Sequence, residues 1–233
     1  MTPEFKPFPK MPRLSRECVI SEKIDGTNAT IQIIGNHNGY YDADPMVVAK
    51  GETFSAIHDA MIPAVMYAGS RTRWITLAND NFGFAKWAYD HTAELFNLGL
   101  GHHFGEWWGS GIQRGYGLSK GEKRFSLFNA IRWVAGDDPI GVASTTWNDK
   151  TRQMEQKLQQ RAPACCGVVP VLYRGPFCTN MVKKILHELE YSGSSAAPGY
   201  DKPEGIVCFH IAGCFGFKKT IEKDEEPKGK TTK

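Results

Sequence analysis

Two short runs rich in β-branched residues, at 18–20 and 29–34, flank the polar stretch Ser-Glu-Lys-Ile-Asp-Gly-Thr-Asn at 21–28. β-Branched side chains favour strands because they are stiff and pack well on a pleated surface. The pattern therefore predicts a strand, a polar loop at a sheet edge and a second strand. The next segment, 35–39, is rich in glycine and asparagine, which tolerate positive φ angles, so a hairpin turn is predicted there.

The rest of the chain favours the α+β class, with mainly antiparallel sheet flanked by helices. Four further strands are predicted from short apolar runs, at 125–134, 168–173, 205–211 and 214–218. Apolar residues at helical spacing predict two amphipathic helices, at 150–161 and 180–190. Because there is no internal repeat and no clear linker, residues 1–220 are expected to form a single domain.

Composition limits the possible classes of protein. The chain has 233 residues, of which 41% are hydrophobic, and this is enough to build a core without disulfides or structural metals. The six cysteines include no CxxC pair, so reduced and mostly buried thiols are expected. With no signal peptide and no apolar run of roughly 18 residues, we expect a cytoplasmic protein without a membrane helix. The charged stretch 221–233 is predicted to be disordered.

Lys23, in the pattern Lys-Ile-Asp-Gly, is the candidate nucleophile. The free pKa of lysine, ~10.4, leaves its amine protonated, so a site must depress that pKa before the amine can attack a phosphate. Asp25 would lie on the same side of an extended chain as Lys23, where it could orient the amine or a metal ion. Since a charged hairpin end fits the same four residues, the pattern gains specificity only from motifs downstream.

The run Glu22-Lys23-Ile24-Asp25-Gly26-Thr27-Asn28 resembles the nucleophile motif of the covalent nucleotidyltransferases, which comprise RNA ligases, DNA ligases and capping enzymes. Its extended form is most similar to that of phage-type RNA ligases. The resemblance implies a nucleotidyltransferase (ATP-grasp-like) fold in which Lys23 is adenylylated. It also implies that Glu22, Ile24 and Asn28 lie beside the bound nucleotide.

The run Ser70-Arg71-Thr72-Arg73 resembles the basic motif that follows the nucleophile, whose arginine grips phosphate and ribose in the family. Arg71 is the first choice for that role and Arg73 the second. Lys50, in Val-Val-Ala-Lys-Gly, is a competing candidate because it lies at the distance expected without an insertion.

Two further motifs imply contacts with the nucleoside. Phe-Gly-Glu-Trp-Trp-Gly at 104–109 resembles the motif whose carboxylate holds the ribose hydroxyls, which assigns that role to Glu106. The two tryptophans of this motif are expected in the core. Arg-Phe-Ser-Leu-Phe-Asn at 124–129 resembles the motif whose aromatic residue stacks on adenine, and Phe128 takes that place. Relatives usually carry an acidic residue directly after this aromatic residue. This chain has Asn129 there, so the role of that acidic residue is not transferred to it.

The last two motifs imply contacts with the metal and the phosphates. Glu204-Gly205-Ile206-Val207 resembles the motif whose glutamate places the catalytic metal, and Phe217-Lys218-Lys219 resembles the motif whose lysines neutralise the α-phosphate. The family favours Lys-x-Lys. Because adjacent strand residues point to opposite faces, only one of these two lysines should reach the phosphate, and Lys218 is preferred.

Taken together, the resemblance implies an ATP-dependent polynucleotide ligase, with RNA as the preferred substrate. It would use Mg²⁺ or Mn²⁺ to join 5′-phosphate and 3′-hydroxyl ends, act as a monomer, and lack a C-terminal OB or helical domain. The sequence leaves open whether the substrate is RNA, DNA or a hybrid, and whether it is single-stranded or a nicked duplex.

Three other interpretations are compatible with parts of the pattern. They are a minimal DNA ligase, a non-catalytic nucleic-acid-binding module and a Schiff-base lysine enzyme. His102 and His103, close to Glu106, also suggest a metal site. Since adjacent strand residues face opposite sides, we expect a surface or core role for these histidines instead.

Overall fold

A computed structural model describes residues 3–8, 11–148, 152–222 and 224. The strands are β1 (Glu17–Lys23), β2 (Thr27–Gly35), β3 (Ala49–Ser55), β4 (Ala60–Ser70), β5 (Trp74–Ile75), β6 (Gly101–Gly109), β7 (Lys123–Leu127), β8 (Trp133–Val134), β9 (Val142–Asn148), β10 (Gln153–Leu158), β11 (Gln160–Arg161), β12 (Cys166–Val168), β13 (Val171–Pro176), β14 (Gly205–His210) and β15 (Phe215–Thr220). The α-helices are α1 (Phe84–Asp90), α2 (Thr92–Leu95) and α3 (Thr179–Ser192).

Two sheets dominate the fold. The larger sheet has seven strands in the order β12-β7-β6-β2-β4-β3, with β5 paired to β4, and the smaller has four in the order β13-β1-β14-β15. Every pairing in these two sheets is antiparallel except that of β12 with β7. The expected mixture of helices and mainly antiparallel sheet is confirmed. Because β1 and β2 belong to different sheets, residues 24–26, here called the crossing, pass from one sheet to the other.

Each sheet buries one face in its own core. The larger sheet packs Ile31, Ile33 and Met66 against the segment that carries α1 and α2. The smaller sheet packs Ile20 and Ile206 against α3. Helix α3 forms because apolar residues recur on one side of it, which confirms the helix predicted at 180–190. Burying each large apolar side chain contributes about 1.5–3 kcal/mol, so these layers hold β1 firmly between its neighbours.

The helix predicted at 150–161 is wrong over its described part, where β10 and β11 are found; residues 150 and 151 lie outside the described residues. Met154 and Leu158 are 60% and 57% exposed, so their four-residue spacing marks no buried face. Strand β10 instead pairs with β9 in an exposed two-stranded ribbon. Two apolar residues on an otherwise polar segment were too weak a helical signal.

The hairpin predicted at 35–39 is also wrong, although the chain does turn there. Strand β2 pairs with β4 and β6, whereas β3, the next strand along the chain, pairs only with β4. Which strands pair with β2 depends on contacts between distant segments, and the turn residues at 35–39 do not encode those contacts. The strands predicted at 125–134 and 168–173 are each divided in two, whereas those at 205–211 and 214–218 form close to the predicted positions.

Of the tail predicted to be disordered, residues 223 and 225–233 lie outside the described residues. All six cysteines are free thiols. Three are buried (Cys18, Cys166 and Cys208), Cys165 is half-buried, and two are exposed (Cys178 and Cys214). Within the described ranges, no helix combines the length and apolar character that a bilayer-spanning segment requires.

Candidate active site

Lys23 and Glu204 form an ion pair at the end of the smaller sheet. Lys23 is the last residue of β1, and Glu204 immediately precedes β14, the strand that pairs with it. Nζ of Lys23 contacts Oε2 of Glu204, whose side chain is buried. A buried carboxylate is costly unless a charged or hydrogen-bonding group satisfies it, so the pair fixes the lysine head beside the crossing.

Glu106 lies opposite this pair, on the larger sheet. Its Oε1 accepts a hydrogen bond from the backbone N–H of Gly26 at 3.0 Å, and its Oε2 accepts one from Nδ2 of Asn28 at 3.2 Å. Burial raises the pKa of Glu106 to about 7, against the lowering effect of the Gly26 hydrogen bond and the charge of Lys23, while Glu204 adds to the rise. Because Gly26 follows Lys23 by three residues, its hydrogen bond to Glu106 places this carboxyl group beside the crossing.

The glycine of the nucleophile motif is required by the close approach of the crossing to β6 of the larger sheet. A Cβ at position 26 would lie 2.5 Å from the carbonyl oxygen of Trp107 and 2.7 Å from Cβ of Trp108. Both tryptophans are buried, as the sequence predicts. Only the absence of a side chain lets the crossing lie this close to β6, and this contact brings Lys23 towards Glu106.

Asp25 is held by Arg114, a residue that the motif comparison did not select. Nε of Arg114 donates to Oδ2 of Asp25 at 3.1 Å, and the backbone N–H of Asp25 donates to Oη of Tyr116 at 2.8 Å. Strand β1 ends at Lys23, so the expectation based on an extended chain does not apply to Asp25. No local pattern links Arg114 to Asp25, because 89 positions separate the two residues in the chain.

The side chain of Glu22 lies on the opposite face of β1 from Lys23, although the family resemblance placed this residue beside the nucleotide. It is buried and accepts hydrogen bonds from Oγ of Ser194 at 2.6 Å and from the backbone N–H groups of Ser195 at 2.8 Å and Ala196 at 2.9 Å. Burial raises the pKa of Glu22, and these three hydrogen bonds oppose that rise. Glu22 therefore anchors the nucleophile strand to the segment after α3.

Ile24 and Phe128 each lie next to residues of the candidate site. Ile24, the first residue of the crossing, is buried against Trp108 and Tyr116 and so anchors the crossing in an apolar cluster. Phe128 follows β7 directly, and its N–H donates to the carbonyl of Phe104 on β6 at 3.0 Å. Its ring is 41% exposed, which leaves area for contact with a flat ligand.

The two lysines of β15 point to different faces of the smaller sheet. Lys218 pairs with Val207, which in turn pairs with Ser21, so Lys218 is on the same face as Lys23. Lys219 is on the opposite face, where Nζ donates to Oδ2 of Asp224 at 2.6 Å.

The three candidates for the basic motif differ in what their charges already contact. The guanidinium of Arg73 donates to three backbone carbonyls, those of Trp74, Asn79 and Asp80. Lys50 forms an ion pair with Asp42 at 2.9 Å. Arg71 is exposed, and the structure gives it no hydrogen-bond or ion-pair partner among the residues it describes. Strand β4 ends at Ser70, which pairs with Ala29, so Arg71 lies at the end of the sheet that carries Asn28.

His102 and His103 do not form a joint metal site. His103 is buried, its Nε2–H donates to the carbonyl of Gly99 at 2.9 Å, and burial lowers its pKa to about 4. His102 is exposed on the other face of β6. In the part of the chain that the structure describes, no three or more His, Cys, Asp or Glu side chains are grouped so that they could hold a metal ion.

The structure therefore brings together Lys23, Asn28, Glu106 and Glu204, with Lys218 on the same face as Lys23. A family model described as RNA ligase matches residues 16–220, from the residue before β1 to the end of β15. No curated protein matches the sequence. The match covers both sheets and every residue of this cluster. The chain belongs to the RNA ligase family.

Proposed function

We propose that this chain is an ATP-dependent RNA ligase that joins a 5′-phosphate to a 3′-hydroxyl through an adenylate carried on Lys23. Membership of the family makes ligation the general activity and nucleic acid the class of substrate. The observation that carries the finer proposal is the contact between Nζ of Lys23 and the buried carboxylate of Glu204, with Glu106 close by on the other sheet. Glu204 holds the Lys23 amine where the two sheets meet, which positions it as a nucleophile; the attack itself requires the amine to lose its proton, which a cation bound at Glu204 would favour.

In the proposed first step, the Lys23 amine loses a proton and attacks the α-phosphorus of ATP, so that an N–P bond forms and the bond to pyrophosphate breaks. An oxygen of the 5′-phosphate then attacks the same phosphorus, and Lys23 is released as the amine. Finally the 3′-hydroxyl attacks the activated 5′-phosphate, a phosphodiester forms and AMP leaves. Positioning and charge stabilisation dominate the catalysis of such transfers.

The surrounding residues fit roles in nucleotide binding. Glu106 uses its two oxygens for Gly26 and Asn28, but a carboxylate has about four acceptor sites, which leaves capacity for ribose hydroxyls. Lys218 is on the face where it could neutralise the α-phosphate. Arg71, exposed beside the same end of the sheet, is assigned to phosphate, and Phe128 offers a partly exposed ring to adenine.

The donor set also fits Mg²⁺. This ion is usually bound through one or two carboxylates together with substrate phosphates and water, rather than in an all-protein cage. Glu204 supplies such a carboxylate beside Lys23. A metal ion held there would supply charge neutralisation at the phosphates.

Incubation with α-labelled ATP and Mg²⁺ tests the covalent step. We expect label that survives denaturation on the wild-type chain and on Lys184→Ala, an exposed lysine of α3, but not on Lys23→Ala. Label on Lys23→Ala, or none on the wild type, would reject the proposal. Sealing of RNA, DNA and mixed ends by the same preparations then distinguishes an RNA ligase from a minimal DNA ligase.

A further inference from the structure

Three exposed aromatic side chains form a row on the larger sheet: Trp74 of β5 with His102 and Phe104 of β6. We call them the aromatic row. The ring centroids of Trp74 and His102 are 6.3 Å apart with an interplanar angle of 29°. Those of His102 and Phe104 are 5.6 Å apart at 12°. The three rings are thus nearly parallel neighbours on a single surface.

The aromatic row begins beside the candidate active site. Phe104 and His102 precede Glu106 on β6 by two and four residues, so all three side chains are on one face of the sheet. Phe104 pairs with Thr30 and Glu106 with Asn28, so the row continues directly from the Asn28–Glu106 contact. The N–H of Phe128 donates to the carbonyl of Phe104, which connects the row to the proposed adenine contact.

The rings of the row are open to solvent, although β6 buries Trp107 on its other face. Trp74 is 37% exposed and Phe104 57% exposed, whereas Trp107 is buried in the core. The indole ring of Trp74 lies over Gly69, the residue it pairs with on β4. A Cβ at position 69 would be only 3.1 Å from the ring. Glycine at this position lets the indole ring rest against the sheet.

A positive charge lies at the Trp74 end of the row. Arg71, in the turn between β4 and β5, is exposed and has no partner among the described residues, whereas Arg73 in the same turn is bound to backbone carbonyls. The exposed rings can stack on unpaired bases, and the Arg71 guanidinium can bind the negative phosphates between them. The two together suit a single-stranded nucleic acid. Base stacking on aromatic side chains contributes about 1–3 kcal/mol per base and is tolerant of sequence.

We propose that the aromatic row stacks the bases of an unpaired RNA segment, with Arg71 on its phosphates, and so holds a strand end at Lys23. The inference rests on the proposed function and deepens it, because it makes single-stranded ends the substrate. In a nicked duplex the bases already stack on one another, and their faces are not available to the row.

Fluorescence anisotropy with labelled RNA of about 12 nucleotides tests the row. The probes are the single strand, the same strand in a blunt duplex, and an abasic strand of equal charge. We expect the wild type to bind the single strand more tightly than either of the others. Trp74→Ala and His102→Ala should each weaken single-strand binding about tenfold. Tyr191→Ala, which removes an exposed ring from α3, should not change it.

Equal affinity of the wild type for the single strand and the abasic strand, or for the single strand and the duplex, would overturn the inference, and these comparisons need no variant. Unchanged binding by both alanine variants would also overturn it. Trp74→Phe keeps a ring and should bind more tightly than Trp74→Ala. Labelling of the wild type by ATP is measured separately, so a failed covalent step can be distinguished from a row that does not bind RNA.

Discussion

Arg114 binds one acceptor beside each member of the Lys23–Glu204 pair. Its Nε donates to Asp25, two residues after Lys23, and its Nη1 donates to the carbonyl of Lys202, two residues before Glu204, both at 3.1 Å. A single planar guanidinium thus joins the crossing to the segment that leads into β14. Because an arginine presents its donors in a rigid fork, it can fix the relative position of two segments.

Replacing Arg114 should therefore slow adenylylation of Lys23 even though Arg114 is not assigned a contact with substrate. A displacement of about 1 Å at a reacting group can cost on the order of 100-fold in rate, and we expect a loss of that order for Arg114→Ala at saturating ATP. Arg114→Lys should recover only part of the rate because lysine lacks the fork. Lys86→Ala, which removes an exposed pair with Asp90 on α1, is the control. Equal labelling rates for Arg114→Ala and Lys86→Ala would contradict the prediction.

Replacing Glu22 should affect stability first. Removing its side chain leaves the Ser194 hydroxyl and two backbone N–H groups without their acceptor in a buried place. Each unsatisfied buried group costs about 1–3 kcal/mol, so we expect Glu22→Ala to lower the free energy of unfolding by at least about 2 kcal/mol. Glu188→Ala, at an exposed position on α3, should cost less than about 0.5 kcal/mol in the same denaturant titration. Similar losses for the two variants would exclude the anchoring role.

Gly26→Ala tests the close approach of the crossing to β6. Because the added methyl group would meet backbone and Cβ atoms, the chain itself must shift, and we expect a loss of about 1–3 kcal/mol in unfolding free energy. The same shift should slow labelling of Lys23. Gly216→Ala on β15 provides the comparison, since its Cβ would have no neighbour closer than 3.9 Å. If Gly26→Ala melts and labels like Gly216→Ala, the steric account fails.

The register of β15 predicts unequal effects for its two lysines. Lys218→Ala should reduce the rate of AMP transfer by about 100-fold or more, as expected when a group that stabilises phosphate charge is removed. Lys219→Ala should cause a much smaller loss because its amine faces away and binds Asp224. Single-turnover labelling at saturating ATP measures both variants. A larger loss for Lys219→Ala than for Lys218→Ala would contradict the prediction that the Lys218 face of β15 is turned towards the nucleotide.

The lowered pKa of His103 should make the free energy of unfolding depend on pH, independently of any effect on catalysis. Its pKa falls from 6.5 to about 4 in the folded chain, so the unfolded chain binds a proton more readily. The stabilisation is complete above pH 6.5 and is lost as the pH falls through the folded value near 4. The full loss is about 3 kcal/mol. Denaturant unfolding at pH 7 and pH 4.5 should show a smaller drop for His103→Gln, which keeps a donor for Gly99. Equal drops would contradict the assignment.

Sequence alone determined the parts of this protein that depend on local chemistry. The β-branched runs around the nucleophile motif predicted β1 and β2, and the repeat of apolar residues in α3 predicted that helix, because each depends on side chains a few positions apart. The order of short motifs, beginning at Lys23, indicated the family to which the chain belongs. Local spacing failed at 150–161, where two apolar residues imitated a helical repeat that the fold does not bury.

Tertiary structure decided how those motifs meet. The pairing of β1 with β14 placed Glu204 against Lys23, although 181 positions separate them in the chain. Pairing across β14 and β15 put Lys218, and not Lys219, on the face of Lys23. The roles of Arg114 and of the aromatic row also depend on contacts between distant segments. Such contacts follow from strand register and sheet packing, which one sequence read locally does not encode.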